Sequence, residues 1–272
     1  GDNNMAEYLQ PGSLEEAASM IASHGSSLAI VAGGTSAMRY SAPQAEHVMG
    51  VRGLAMNKIE HSSGGLSLGS GVTMSQIRES LPIPALQEAA RGVGGPAVQN
   101  MATIGGNIFA RQPYGDVAVV LLALDATVTF STVNGEHTKK LEDFYASGAQ
   151  ADGLLTRIDC AAPGGELVYL KCGRRRFNSP TVIAVAACVG LDNGKVGNAC
   201  IALGGAGKHP TRCAAAEKAL IGEALGVASI RAAADQAAGA CSPGTDSVAS
   251  EWYRRRMIAT YLTRALQQIA AG

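Results

Sequence analysis

Hydrophobic and polar positions along the chain form short blocks separated by glycine-rich turns, and the period of these blocks changes twice. Ser13-Leu14-Glu15-Glu16 has the form of a capping box, with the Ser13 hydroxyl accepting from the Glu16 amide while Glu16 reaches back. It predicts a helix from Leu14 to about His24-Gly25. Leu28 to Ala32 reads as a short buried strand stopped by Gly33-Gly34-Thr35, and Val48 to Val51, Lys58 to His61 and Leu66 to Leu68 read as further strands. Pro84 opens a predicted helix that runs to Arg91, because proline is tolerated in the first helical turn. Val117 to Leu124 is apolar throughout and predicts a buried helix. Thr127 to Thr132 alternates as a strand into an Asn134-Gly135 hairpin turn.

The pattern resets at Ala162-Pro163-Gly164-Gly165. Three strands are predicted beyond it, Leu167 to Cys172, Thr181 to Leu191 and Lys195 to Leu203, the last two joined by Asp192-Asn193-Gly194. Alanine-rich helical spacing then takes over at Arg212 to Ile221, Val227 to Ala238 and Val248 to Ala271. Strands followed by helices indicate an α+β fold. The expected division is a mixed domain of residues 1–162, with parts of about 1–55 and 56–162, and an α+β domain of residues 163–272 built on a three-stranded sheet with helices.

Composition narrows the function. Lys plus Arg (22) balance Asp plus Glu (22), so the formal net charge is zero and no basic excess points to a nucleic-acid surface. The apolar runs are far shorter than the roughly 20 residues of a membrane span. Gly1 to Tyr8 has no basic stretch leading into an apolar one, so no secretory signal is expected and the expected location is the cytoplasm; Gly1 to Asn4 reads as an expression scar or a ragged start. The six cysteines form no CxxC pair, which argues against zinc or an iron–sulfur cluster in this chain and for buried, reduced thiols. Glycine is the anomaly: 34 of 272 residues is well above the usual share of about 7%. Twelve aromatic residues argue against a large aromatic pocket.

Two glycine segments carry candidate chemistry, Ile30-Val31-Ala32-Gly33-Gly34-Thr35-Ser36 and Ala102-Thr103-Ile104-Gly105-Gly106-Asn107. A diphosphate needs converging backbone N–H donors and close approach, which glycine permits by lacking a Cβ. Thr35, Ser36, Thr103 and Asn107 add side-chain donors. Either loop alone reads as a turn; together they favour a dinucleotide held by backbone. Gly92-Val93-Gly94-Gly95-Pro96-Ala97 formally fits a dinucleotide fingerprint, but it follows a helix and Pro96 removes a donor, so a Rossmann site is rejected. Asp116 reads as the N-cap of the following helix or as a carboxylate accepting from sugar hydroxyls, and the two are not exclusive. Arg174-Arg175-Arg176 reads as a solvated face, and Arg254-Arg255-Arg256 as surface or interface charge.

Ala32-Gly33-Gly34-Thr35 and Thr103-Ile104-Gly105-Gly106-Asn107, with Pro113 and Asp116 downstream, resemble the FAD-binding subunit of the molybdenum hydroxylases, the family of xanthine dehydrogenase and aerobic carbon monoxide dehydrogenase. Gly69-Ser70-Gly71-Val72-Thr73 and Gly95-Pro96-Ala97-Val98-Gln99-Asn100 extend the likeness over nearly the whole chain. The resemblance implies a two-part FAD domain of the vanillyl-alcohol-oxidase/MurB type. By family position, Ala29, Ile30, Val31, Ala32, Gly33, Gly34, Thr35 and Ser36, with Thr103, Ile104, Gly105, Gly106 and Asn107, hold the pyrophosphate. Asp116 meets the flavin's sugar chain, and Leu154 and Lys171 flank the flavin. Ser36 stands where the family usually has an acidic residue.

The implied function is an electron-transfer subunit. Its expected partners are a [2Fe–2S] subunit and a large molybdopterin subunit in a dimer of heterotrimers. An external acceptor, such as NAD⁺, a quinone or oxygen, completes the path. A stand-alone flavin oxidoreductase of the related fold and a flavin-free structural subunit are the alternatives.

Overall fold

The computed structural model describes residues 6–62, 64–175 and 179–272; Gly1–Asn4 and Arg176 lie outside the described residues. Three sheets organise the chain. The first is wholly parallel, in the order β1 (Glu7–Leu9), β3 (His47–Gly50), β2 (Leu28–Val31). Its crossover from β1 to β2 is the helix Leu14–His24, which starts at Ser13 with the hydroxyl accepting from the Glu16 amide, as expected; the Glu16 carboxylate reaches one residue further back than a capping box requires and accepts from Gly12 N–H at 2.7 Å. Ala17 of that helix packs on Met49, Val51, Leu54 and Met56.

The second sheet is antiparallel, in the order β4 (Ile59–Ser62), β5 (Gly65–Gly69), β8 (Leu154–Ala161), β6 (Thr127–Thr132), β7 (Gly135–Lys140). The β6–β7 hairpin turns where Asn134-Gly135 predicts it. The central strand β8 has no counterpart in the sequence reading, although Ile158 and Cys160 are buried on alternate positions. The helix Asp116–Ala123 lies in this core with every residue buried, because its side chains are apolar on all faces after the first.

The third sheet is antiparallel, in the order β12 (Thr211–Arg212), β11 (Lys195–Gly204), β10 (Thr181–Asp192), β9 (Glu166–Gly173). It has four strands and not three; the added strand is a two-residue edge at the start of the segment read as helix from Arg212, and that helix begins only at Ala214. Alternation along β10 explains why it is buried on both faces. Ala184 and Ala186, with Ala202 of β11, join the core around the helix Asp116–Ala123. Ile183, Val185 and Ala187, with Ile201 and Leu203, face the C-terminal helices Val227–Ala240 and Glu251–Ala271. The face toward Asp116–Ala123 is built of small residues: a Cβ on Gly204 would stand 2.8 Å from Val119 Cγ2. This close approach fixes the third sheet against the helix Asp116–Ala123.

Arg254 corrects the reading of the Arg254-Arg255-Arg256 run as surface charge. Its side chain is buried, donating to the carbonyls of Val182 and Gly244 and to both Asp246 oxygens at 2.8 Å. Burial opposes the charge on Asp246, but the Arg254 guanidinium and the Ala249 and Val248 amides outweigh it and hold that carboxyl below its ordinary value.

Candidate functional site

The first glycine segment leaves β2 where the parallel ladder ends, with Val51 N–H bonded to Val31 O at 3.0 Å. Glycine is required at both turn positions. A Cβ on Gly33 would collide with the Met101 carbonyl, and Gly34 has φ 72°, which favours glycine. Among the described residues, the N–H groups of Gly33, Gly34, Thr35 and Ser36 have no protein acceptor, and the Ser36 hydroxyl does not cap the short helix Ala37–Tyr40. Four consecutive residues therefore present free backbone donors.

The second segment is different. Ile104 N–H bonds Val72 O (2.8 Å), Gly105 N–H bonds Ser70 O (2.9 Å), Gly106 N–H bonds the Thr103 hydroxyl (3.1 Å) and Asn107 N–H bonds Thr103 O (2.9 Å). The expectation that its backbone amides converge on phosphate is thereby corrected, since each is already used to form the short helix Ile104–Ile108 and to pin it to the turn after β5. What remains free is side chain. Thr103 accepts from Gly106 and keeps its own proton to donate. The Asn107 Oδ1 accepts from Ala118 N–H at 3.1 Å, which leaves the Nδ2 donors.

A third set of residues joins the sheets. Lys171, on β9, donates from Nζ to Asp116 Oδ2 and to the Gly92 carbonyl, both at 2.8 Å, and Thr181, opening β10, donates to Asp116 Oδ1 at 2.7 Å. Asp116 is the first residue of its helix; the N-cap is Gly115, so the capping alternative for Asp116 is not what the structure shows. An anion in the first helical turn complements the helix dipole. The hydroxyl of buried Tyr169 lies beside Asp116, and burial, with the nearby Asp116 carboxylate, pushes its pKa up.

These three sets line one cavity of about 910 Å³, at the upper end of the roughly 300–1,000 Å³ of small-molecule sites. Ala29, Ile30, Ala32, Gly33, Gly34, Thr35, Ser36, Thr103, Gly105, Gly106, Asn107, Asp116, Leu154 and Lys171 all line it. Val31 and Ile104 do not: Ile104 is fully buried in the core, and Val31 offers its carbonyl to the ladder. Sequence reasoning missed Gly92, Val93 and Gly94, which line the cavity although no Rossmann turn is formed there. It also missed Arg39, Tyr40, Phe109, Arg111 and Tyr114. Three aromatic rings stand in this lining, against the expectation drawn from the low aromatic content. Among the described residues, no cluster of His, Cys, Asp and Glu has the form of a metal site, and no helix is long and apolar enough to cross a membrane.

A cavity bordered by all three sheets, with small residues and unpaired amides along one wall, has the form of a nucleotide-cofactor site. Residues 4–160 match the family described as "FAD binding domain in molybdopterin dehydrogenase", and residues 168–269 match "CO dehydrogenase flavoprotein C-terminal domain". The chain belongs to this family of FAD-binding subunits of molybdopterin-containing dehydrogenases, which are oxidoreductase complexes. It is 30% identical over 276 residues to the 6-hydroxypseudooxynicotine dehydrogenase complex subunit alpha of Paenarthrobacter nicotinovorans, covering 96% of this chain and 93% of that one. It is 29% identical over 224 residues to the glyceraldehyde dehydrogenase medium chain of Sulfolobus acidocaldarius, 79% of each. The solved carbon monoxide dehydrogenase of Hydrogenophaga pseudoflava that lacks the Mo-pyranopterin moiety superimposes with a TM-score of 0.90 at 27% identity, covering 98% of this chain and 97% of that one.

Proposed function

We propose that the cavity holds FAD and that the chain carries electrons from a [2Fe–2S] subunit to an external acceptor, beside a large molybdopterin subunit, in a dimer of heterotrimers. The observation that carries this reading is the run of free N–H groups at Gly33–Ser36, lining the same cavity as the Thr103 and Asn107 side chains. The residues present fit the cofactor. Free amides suit diphosphate oxygens, and the glycines bring backbone close where a Cβ would keep it away. When bound, the isoalloxazine supplies the exchange between one-electron and two-electron chemistry.

The chain's own residues position and charge the site. The Gly33–Ser36 amides bind phosphate oxygens, with Thr103 and Asn107 donating from the other wall. Asp116 accepts from Lys171 and Thr181 and so fixes the lysine. With Nζ bonded to Asp116 and Gly92, one ammonium donor is left over for an acceptor placed against it. Leu154, at the head of β8, adds an apolar side chain to the lining and flanks the flavin.

The FAD domain is assigned to residues 1–162 and the second domain to 163–272, in keeping with the separate sheets of these segments. A cytoplasmic location agrees with six free cysteines. The relatives above are named for 6-hydroxypseudooxynicotine, glyceraldehyde and carbon monoxide at nearly equal identity, so their likeness to this chain selects no substrate. Isolation of the native assembly by a tag on this chain tests the function. An iron–sulfur chain and a molybdopterin chain are expected with it, and full turnover by a lone monomer would refute the subunit role.

A further inference from the structure

The net charge of the chain is zero, but the cavity is not neutral. Among the described residues its lining holds three cationic side chains, Arg39, Arg111 and Lys171, against one carboxylate, Asp116, which Lys171 already neutralises. Arg39 and Arg111 stand on the two segments that face each other across the cavity, one following Gly33–Ser36 and the other following Thr103–Asn107. They meet at one ring: the Arg39 guanidinium lies 5.6 Å and the Arg111 guanidinium 5.5 Å from the Tyr40 centroid. Among the described residues, neither guanidinium has a carboxylate or hydrogen-bond partner. Arginines on a merely solvated face have no reason to converge on an aromatic ring that borders a row of free amides.

We infer that Arg39 and Arg111, held in place by Tyr40, are the charge partners of the dinucleotide's diphosphate, adding fork-shaped cationic donors to the neutral amides of Gly33–Ser36. This rests on the FAD reading above. Neither position belongs to the glycine motifs, and the arginines add electrostatic attraction to phosphate donors that are otherwise neutral amides and side chains. Tyr40 restricts both guanidiniums before the ligand arrives, which lowers the ordering cost of binding.

The test is a titration of the full-length chain with FAD, ADP and riboflavin at about 0.05 M and about 0.5 M KCl, between which the Debye length shortens severalfold, followed by flavin fluorescence and, for ADP, by displacement of FAD. Arg39→Gln and Arg111→Gln should each weaken FAD and ADP about threefold, and the double variant about tenfold, at low salt. The wild-type affinity should fall with salt and that of the double variant should respond less. Riboflavin, which has no phosphate, should bind wild type and variants alike. Arg39→Lys with Arg111→Lys should restore part of the loss. Wild-type affinity and salt response in the double variant would overturn the inference while leaving the FAD site standing. So would an equal loss for riboflavin, which would make the arginines supports of cavity shape. Failure of the wild type itself to bind FAD would overturn the site assignment and this inference together.

Discussion

Replacing Lys171 by methionine removes the cation that ties β9 to Asp116 and to the Gly92 turn while keeping most of the aliphatic stem. The pair is well buried, with side-chain exposures of 18% for Lys171 and 5% for Asp116, and the Nζ–Oδ2 distance is 2.8 Å. At an effective dielectric of about 20 the gross attraction at that distance is about 6 kcal/mol, and desolvation of both ions offsets much of it. Breaking such a pair from one side costs about 3–5 kcal/mol, because the other charge stays buried. Asp116 keeps the Thr181 hydroxyl at 2.7 Å and its place in the first helical turn, so the lower end, about 3 kcal/mol, is expected. Urea unfolding followed by circular dichroism should show this as a lower midpoint with an unchanged slope. Adding Asp116→Asn should recover about 1–2 kcal/mol, since an amide still accepts from Thr181 and no longer needs a cation. A Lys171→Met loss below about 1 kcal/mol, or a double-mutant coupling below about 0.5 kcal/mol, would refute the claim that this ion pair holds the third sheet to the cavity floor.

Further outcomes follow from packing and titration. Gly204→Val places a branched side chain on Val119, whose Cγ2 stands 2.8 Å from the position of a Cβ, and should cost about 1–3 kcal/mol in unfolding free energy by overpacking. Tyr169→Phe removes a buried hydroxyl beside Asp116, whose two oxygens already accept from Lys171 and Thr181, and should change stability by less than about 1 kcal/mol; a loss above about 2 kcal/mol would mean that the hydroxyl is an essential partner of that carboxylate. Burial pushes the Cys160 thiol up to about 11 and the Cys241 thiol up to about 12. The unfolded thiols ionise near about 8.5, so the unfolded state loses these protons first. Stability from this source is complete below that pH and is lost as pH rises toward the folded values, which urea midpoints across the alkaline range would show. The slope should flatten in Cys160→Ala with Cys241→Ala; a flat wild-type midpoint in that range, or an equally steep fall in the double variant, would contradict it.

Much of the fold was legible because local signals agreed with the tertiary outcome. Ser13 caps the helix it announces, Pro84 opens the helix Pro84–Arg91, and the apolar run after Asp116 is a helix buried on all sides. The strand β8 went unread because it is followed by no hairpin turn and reaches its partners β5 and β6 only through the tertiary fold. The glycine segments were legible as a pair, but not in which donors they leave free. Ser70 and Val72, far upstream in the chain, consume the amides of Gly105 and Ile104, and nothing local to Thr103–Asn107 reports that. Arg39, Tyr40, Phe109 and Arg111 are ordinary surface residues one at a time and become a lining only when two distant segments face each other. Arg254 was misread for the related reason that its partners, Val182, Gly244 and Asp246, lie in other elements.

The central claim is that FAD occupies the cavity between Gly33–Ser36 and Thr103–Asn107. Gly106 lines it, and a Cβ there would stand 3.2 Å from the Thr103 hydroxyl that serves the site. The direct measurement is the flavin absorbance retained by the purified full-length chain after incubation with FAD and gel filtration, wild type beside Gly106→Val, with circular dichroism of both to show that the variant folds. The wild type should retain near-stoichiometric FAD and the folded variant almost none. An FAD-free wild type, or a Gly106→Val chain with the same flavin content, would contradict the account.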